Sequence, residues 1–318
     1  MRDLVIQEIT EAARRDRNIV FLSADFGAPA LDEFRRDLPE QFIHTGIAEQ
    51  HMIDMAAGLA LAGKKVFCYA MAPFITARCF EQVKCSLSAM NLPVTLIGVG
   101  VGLGYDNTSM THICIDDVAL MRVIRGLEIL TPADDNSAVA CARLCLEEPA
   151  LRFLRLDRYS QAPLYSDIDS ARAALDHGMA LHGSPAEDDG QPNVLVVASG
   201  AMVHVCQNAL RDRFPKDRVG VVEVIRVKPF DPVRFAAYPR AGTRLVFVEE
   251  QLEDGGMASA ILEGLMRSSP EKLLRWPMSR IAIRSDFTLI HAAREELRVH
   301  MHIAEADIAG AVEQHLAS

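Results

Sequence analysis

The chain has 318 residues, half of them hydrophobic, and carries 33 basic against 43 acidic residues for a net charge of −10. That length suggests two domains with sizeable buried cores, and the acidic balance, without a Lys/Arg run, excludes a nucleic-acid or polyanion surface. No apolar run is long enough to span a bilayer, and the opening MRDLVIQEITEAARRDR lacks the apolar core of a signal peptide, so a cytoplasmic chain with no membrane role is expected.

Residues 3–15 pattern as an amphipathic helix and NIVFLSAD (18–25) as a short buried strand. A helix over 48–62 leads into strand KVFCYA (65–70), and a helix over 74–90 leads into PVTLIGVG (93–100). Helix 116–125, strand 127–132, helix 134–147 and strand 150–156 complete the first half. Residues 183–193, GSPAEDDGQPN, are rich in Gly, Pro and Asp and mark a linker or exposed loop. A second run follows: strand 193–199, helix 201–212, strand 219–225, helix 231–237, strand 243–250, helix 255–268, strand 279–285 and helix 304–316. Such alternation predicts an α/β fold with two doubly wound, largely parallel-sheet domains. The expected division is 1–160, a linker over 161–191, and 192–318. None of the seven cysteines makes a CxxC pair and most lie in apolar runs, so they read as reduced core residues.

Three short motifs invite functions that their context refuses. GLALAGKK (58–65) nearly spells a phosphate-binding loop, but Lys65 stands where Ser or Thr is needed and the helix precedes the glycines. GVGVGLG (98–104) does not fit G-x-G-x-x-G and opens no helix, which leaves a flexible substrate-facing loop. His300 and His302 have no carboxylate or third histidine spaced for a metal and are expected in a solvated loop.

GIAEQHMIDMAAGLALAGKK (46–65) is a helix with an almost wholly apolar body and Glu49 at its head. By itself Glu49 reads as a helix cap. The stretch resembles the pyrimidine-binding domain of transketolase-like thiamine diphosphate enzymes. YAMAPFITARCFEQVK (69–84), THICIDDVALMR (111–122), LEILTPADDN (127–136) and LRFLRLDR (151–158) continue the resemblance in family order. VIRVKPFD (224–231), VEEQLEDGG (248–256) and REELR (294–298) are similar to the family's C-terminal domain. The family's GDG signature, which with a downstream asparagine holds magnesium and the cofactor's diphosphate, does not occur. The resemblance therefore implies half of a split enzyme, a β-type subunit. Its thiamine diphosphate would be shared with an α-type diphosphate-binding partner, expected as α2β2, and Mg would be bound mainly by that partner.

Carried over residue by residue, the resemblance makes Glu49 the acid that meets the cofactor's pyrimidine nitrogen and drives its imino form. Burial opposes ionisation of such an acid, whereas a helix N-terminus favours the anion. Phe74 is the aromatic that stacks on the pyrimidine, with Tyr69 and Asp25 as further cofactor contacts. His112 is the substrate-contacting, proton-moving histidine. The loop before it, GYDNTSMTH (104–112), departs from the family pattern, as does Ile113 in place of Gln, which leaves substrate preference open; Asp106 either meets a hydroxyl or shapes the turn. Arg155 and Arg158 are the candidates for a phosphate-binding arginine. The implied activity is two-carbon ketol transfer from a ketose or ketose phosphate to an aldehyde. The alternatives are a 2-oxoacid dehydrogenase β subunit, a deoxyxylulose-phosphate-synthase-like decarboxylating enzyme, and a non-catalytic scaffold.

Overall fold

The computed structural model describes residues 1–24, 28–183, 193–240, 242–273, 275–288 and 290–317. Twelve strands are described: β1 (Ile19–Ser23), β2 (Phe42–His44), β3 (Lys65–Met71), β4 (Val94–Val99), β5 (Glu128–Leu130), β6 (Arg152–Leu156), β7 (Met179–His182), β8 (Asn193–Ala198), β9 (Val219–Val224), β10 (Arg226–Lys228), β11 (Thr243–Leu252) and β12 (Met278–Ile283). They form a seven-stranded sheet in the order β10-β5-β6-β4-β3-β1-β2 and a five-stranded sheet in the order β12-β11-β8-β9-β7. Pairing is parallel except for β10 against β5 and β7 against β9. The strands β1, β4, β6, β8 and β9 are buried along their whole length, as sheets covered by helices on both faces require. One apolar cluster runs unbroken from the first sheet, through Cys68, Leu96 and Ile129, to the second, through Leu195, Val222 and Phe247. No helix among the described residues is long and apolar enough to cross a membrane.

Several expected elements take another form. The predicted helix over 74–90 is broken. Pro73 opens a single turn, Ala72–Ile75, and the buried Thr76 turns its hydroxyl back onto the Ala72 carbonyl at 2.6 Å. A 3₁₀ turn (Ala77–Cys79), a short α turn (Phe80–Gln82) and a π turn (Val83–Ser88) follow. The expected linker contains a helix, Ile168–His177, capped by Asp167 and ended by the left-handed Gly178, and then β7, which pairs into the second sheet. Most of GSPAEDDGQPN lies outside the described residues. His300 closes a helix, Arg294–His300, that periodicity did not announce; its Nε2 lies 2.7 Å from the Thr288 carbonyl.

The second half of the chain meets the first in two ways. β10 adds its antiparallel edge strand, and the Lys228 ammonium donates to the Arg122 and Ile124 carbonyls where the Asp117–Arg122 helix ends. β11 presents Glu249, Glu250 and Gln251, all buried, at the junction. Glu249 accepts from the Met257 amide at 2.7 Å at the head of the Met257–Ser268 helix, and pairs with Arg280. Gln251 donates to Asp117 Oδ1 at 2.8 Å. Glu250 accepts from Arg294 at 2.5 and 3.1 Å, from Arg298 at 2.7 Å and from the Leu103 amide at 3.1 Å. Arg294 also meets Asp157, beyond β6, at 2.7 Å. Burial works against ionisation of Glu250, but Arg294 and then Arg298 outweigh it and draw its pKa down to about 2.

Because the folded pKa of Glu250 lies below the unfolded value of about 4.3, its contribution is complete above that value. It amounts to about 3 kcal/mol and is lost as pH falls from about 4.3 towards 2. Denaturant midpoints across that window should fall steeply in the parent and shallowly in Glu250→Gln. At neutral pH, Glu250→Gln leaves the buried Arg294 and the half-buried Arg298 short of an anion, and the parent should exceed it by about 3–5 kcal/mol in equilibrium unfolding.

Candidate active site

The carboxyl ends of β1 and β3 open on one hollow of about 210 Å³, and its walls include Ala24, Ile47, Met71 and Phe74, with Glu49 and His112. This is the edge at which parallel α/β sheets hold ligands. Glu49 is the first residue of the Glu49–Leu61 helix and only 3% exposed. The helix buries Met52, Ile53, Ala56 and Ala57 on the face that packs against the sheet, which fixes the direction of its first turn. Oε2 of Glu49 accepts from Arg78 Nη1 at 2.7 Å, and Oε1 has no hydrogen-bond partner among the described residues. Cys79 lies beside this carboxylate; burial, and then Glu49, push its thiol up to about 12.

Phe74 stands on the single turn that follows β3. Its ring meets His112 edge-on at a centroid distance of 5.2 Å, and the Arg78 guanidinium carbon lies 4.0 Å from its centroid. The apolar walls, one flat ring and one unshared oxygen of a buried acid fit a flat heteroaromatic ring that offers a nitrogen to Glu49. No group of three or more His, Cys, Asp or Glu that could hold a metal is present among the described residues.

His112 is half-buried at the end of a loop that the glycine run begins. This loop is clamped, against the flexible loop expected. Gly102 pairs with Cys114 through both backbone bonds, at 2.8 and 2.9 Å. At its φ of +62° a Cβ would lie 2.3 Å from the Glu250 carboxyl, so only glycine fits. Ser109, at φ +68°, holds a conformation that non-glycine residues rarely adopt, just before Thr111 and His112. The Thr111 hydroxyl donates its single proton to the Thr108 carbonyl at 3.1 Å, and the same oxygen is 2.8 Å from His112 Nδ1. With that proton on Thr108, the oxygen accepts from Nδ1, the arrangement in which neutral His112 has its lone pair on Nε2.

Glu49, Phe74 and His112 thus meet as the sequence predicts. Tyr69 does not join them. Alternation along β3 sends its ring to the opposite face of the sheet, 6.1 Å from Phe21 in a second core. Arg155 is likewise removed from the ligand role: it is 5% exposed and gives Nε and Nη2 to the fully buried Asp117 at 2.7 and 3.1 Å, and Nη1 to Thr131. Arg158 remains accessible, its guanidinium 4.8 Å from the centroid of Tyr105, whose ring in turn packs 6.1 Å from His112. Asp106 accepts from the Arg294 amide at 2.9 Å and so ties the loop to the Arg294–His300 helix rather than standing ready for a hydroxyl. Asp25 lies outside the described residues. Arg78 and Thr111 were missed; the signal was present for both, a cation four places after Phe74 and a hydroxyl directly before His112.

The chain matches two family descriptions: "Transketolase, pyrimidine binding domain" over residues 1–161 and "Transketolase, C-terminal domain" over residues 185–308. It is 29% identical to one subunit of the apulose-4-phosphate transketolase of Phocaeicola vulgatus, over 92% of this chain and 89% of that one. It is also 29% identical to a 6-deoxy-6-sulfo-D-fructose transketolase subunit of a Clostridium species, over 90% and 85%. A solved structure described as a split-gene transketolase in an inactive β4 tetramer superposes with a TM-score of 0.80 and 25% identity, over 99% of this chain and 97% of that one.

The imidazole nitrogens can be read directly. In ¹⁵N-labelled chain at a pH where His112 is neutral, we expect the Nδ1–H tautomer; Thr111→Val should move the population to Nε2–H, and Thr111→Ser should restore Nδ1–H. A parent spectrum dominated by Nε2–H would refute this assignment of the Thr111 proton.

Proposed function

This chain belongs to the transketolase family and is a transferase of the split, β-subunit type, and from that premise we propose how its hollow serves the reaction. The observation that carries the proposal is the meeting of a buried acid, Glu49, with the flat ring of Phe74 in one hollow at the carboxyl edge of the first sheet.

Thiamine diphosphate is the family's cofactor, and when bound it supplies an electron sink for the electrons freed as a carbon–carbon bond breaks. Glu49 would hold a proton at the ring nitrogen through Oε1, the oxygen that Arg78 leaves free. Phe74 and Ile47 would orient the ring and exclude water. His112 would accept a substrate hydroxyl proton on Nε2, the position that its Thr111 bond leaves open. Arg158 would hold an anionic group at the far end of a sugar substrate; phosphate and sulfo groups in the names of the two relatives support that choice.

The diphosphate and Mg would be bound mainly by a separate α-type chain, with the pair working as α2β2. Relatives named as transketolase subunits support such a division between chains. Seven free cysteines, six of them buried, suit a reducing, cytoplasmic setting.

The test is an assay of the chain together with an α-type partner, thiamine diphosphate and Mg. Ketose phosphates plus an acceptor aldehyde are compared with pyruvate alone. Ketol transfer is expected, and Glu49→Ala should lower it by about a hundredfold or more. Carbon dioxide release from pyruvate, without ketol transfer, would move the chain to the decarboxylating branch. An assembled complex whose activity Glu49→Ala leaves untouched would overturn the role of Glu49.

A further inference from the structure

We propose that Arg78 is a positioning residue, which aims the Glu49 carboxylate at the cofactor ring and backs the Phe74 platform at the same time. This rests on the reading of the hollow just given.

Two contacts converge on one guanidinium. Nη1 of Arg78 donates to Glu49 Oε2 at 2.7 Å, and its central carbon lies 4.0 Å from the Phe74 ring centroid. A guanidinium is flat and carries its donors in its plane. It can therefore stack on a ring with its face while it bonds a carboxylate with its edge. An ammonium group has no such plane and can serve the carboxylate but not in this stacked form.

The exposures assign the direction of the effect. Glu49 is 3% exposed, whereas the Arg78 side chain is 41% exposed. A carboxylate so enclosed needs a donor to hold it in place, and Arg78 supplies one. Arg78 reaches it without lining the hollow, so it steers the acid and leaves the ring's space clear. Fixing Oε2 leaves the other oxygen for the ligand. The turn that bears Arg78 is itself held: the Cys79 thiol donates to the Phe74 carbonyl at 3.1 Å, and the Thr76 hydroxyl to the Ala72 carbonyl at 2.6 Å. The turns over 72–79 thus place Phe74 and Arg78 side by side at the hollow.

If Arg78 acts through Glu49, its loss should erase recognition of the ring nitrogen more than binding of the ring as such. The probe is a thiamine diphosphate analogue in which carbon replaces the ring nitrogen that faces Glu49. Dissociation constants for the natural cofactor and the analogue are measured by calorimetry on the chain assembled with its α-type partner and Mg. The parent complex should prefer the natural cofactor by about tenfold or more. Arg78→Met should lose most of that ratio, and Arg78→Lys should keep most of it. Where Arg78→Met fails to assemble, Arg78→Gln, which removes the charge but keeps a planar amide, carries the same comparison and should also lose the ratio. An undiminished ratio in the uncharged variant overturns the proposal, whatever happens to the absolute affinities, because a merely structural role weakens both ligands alike. A parent complex that does not distinguish the two ligands overturns the assignment of Glu49 itself, and with it the role of Arg78. Failure of the positioning idea and failure of the site reading are therefore separate results.

Discussion

The molecule depends on charges buried where its two sheets meet. Glu250 on β11 is surrounded by Arg294, Arg298 and the Leu103 amide, and Arg294 continues to Asp157 beyond β6. A few residues away, Asp117 takes both Arg155 and Gln251. A buried charge is costly unless it is paired, and here the partners come from both halves of the chain. Such geometry leaves the halves little freedom to slide. Any displacement would strip partners from charges that water cannot reach.

This junction explains what the second half does for the hollow. The loop over 100–116 carries His112, and part of its anchorage comes from the second half. Gly102 is pressed against Glu250, Leu103 donates to it, and Asp106 holds the helix that bears Arg294. The walls of the hollow come from the first half, as the matched pyrimidine-binding description implies, while the loop that carries its histidine is held in part from the second. The C-terminal domain is thus a buttress for the loop, beyond any part it takes in assembly.

The fold class was legible because helical and strand periods alternate cleanly, and because the central strands are apolar without interruption. What escaped was short or locally irregular. β2 and β10 have three residues each, too few to show a period. The chain over 72–88 carries a helical pattern in its side chains, but Pro73 and the buried Thr76 bend its backbone into four different turns. For the candidate site, Glu49, Phe74 and His112 were found through their motifs. Tyr69 was misplaced because a motif does not say which face of a strand a residue takes; alternation from Ala70 would have said so. Arg155 and Arg158 look alike in LRLDR, and only burial separates the ion pair of the first from the accessible guanidinium of the second. The Thr111 bond depends on a left-handed Ser109, and no residue pattern announces that.

β10 has a consequence for how the chain must come into being. Its partner β5 ends at residue 130, but β10 itself begins only at residue 226. During synthesis the first sheet therefore waits, with one side of β5 unpaired, while about a hundred further residues leave the ribosome. An open strand edge is a template for pairing with another chain, and contacts so distant in sequence form slowly. A first half made alone, by a cut between residues 161 and 185, would keep that edge open. The boundary drawn by family matching and the boundary respected by folding are not the same place.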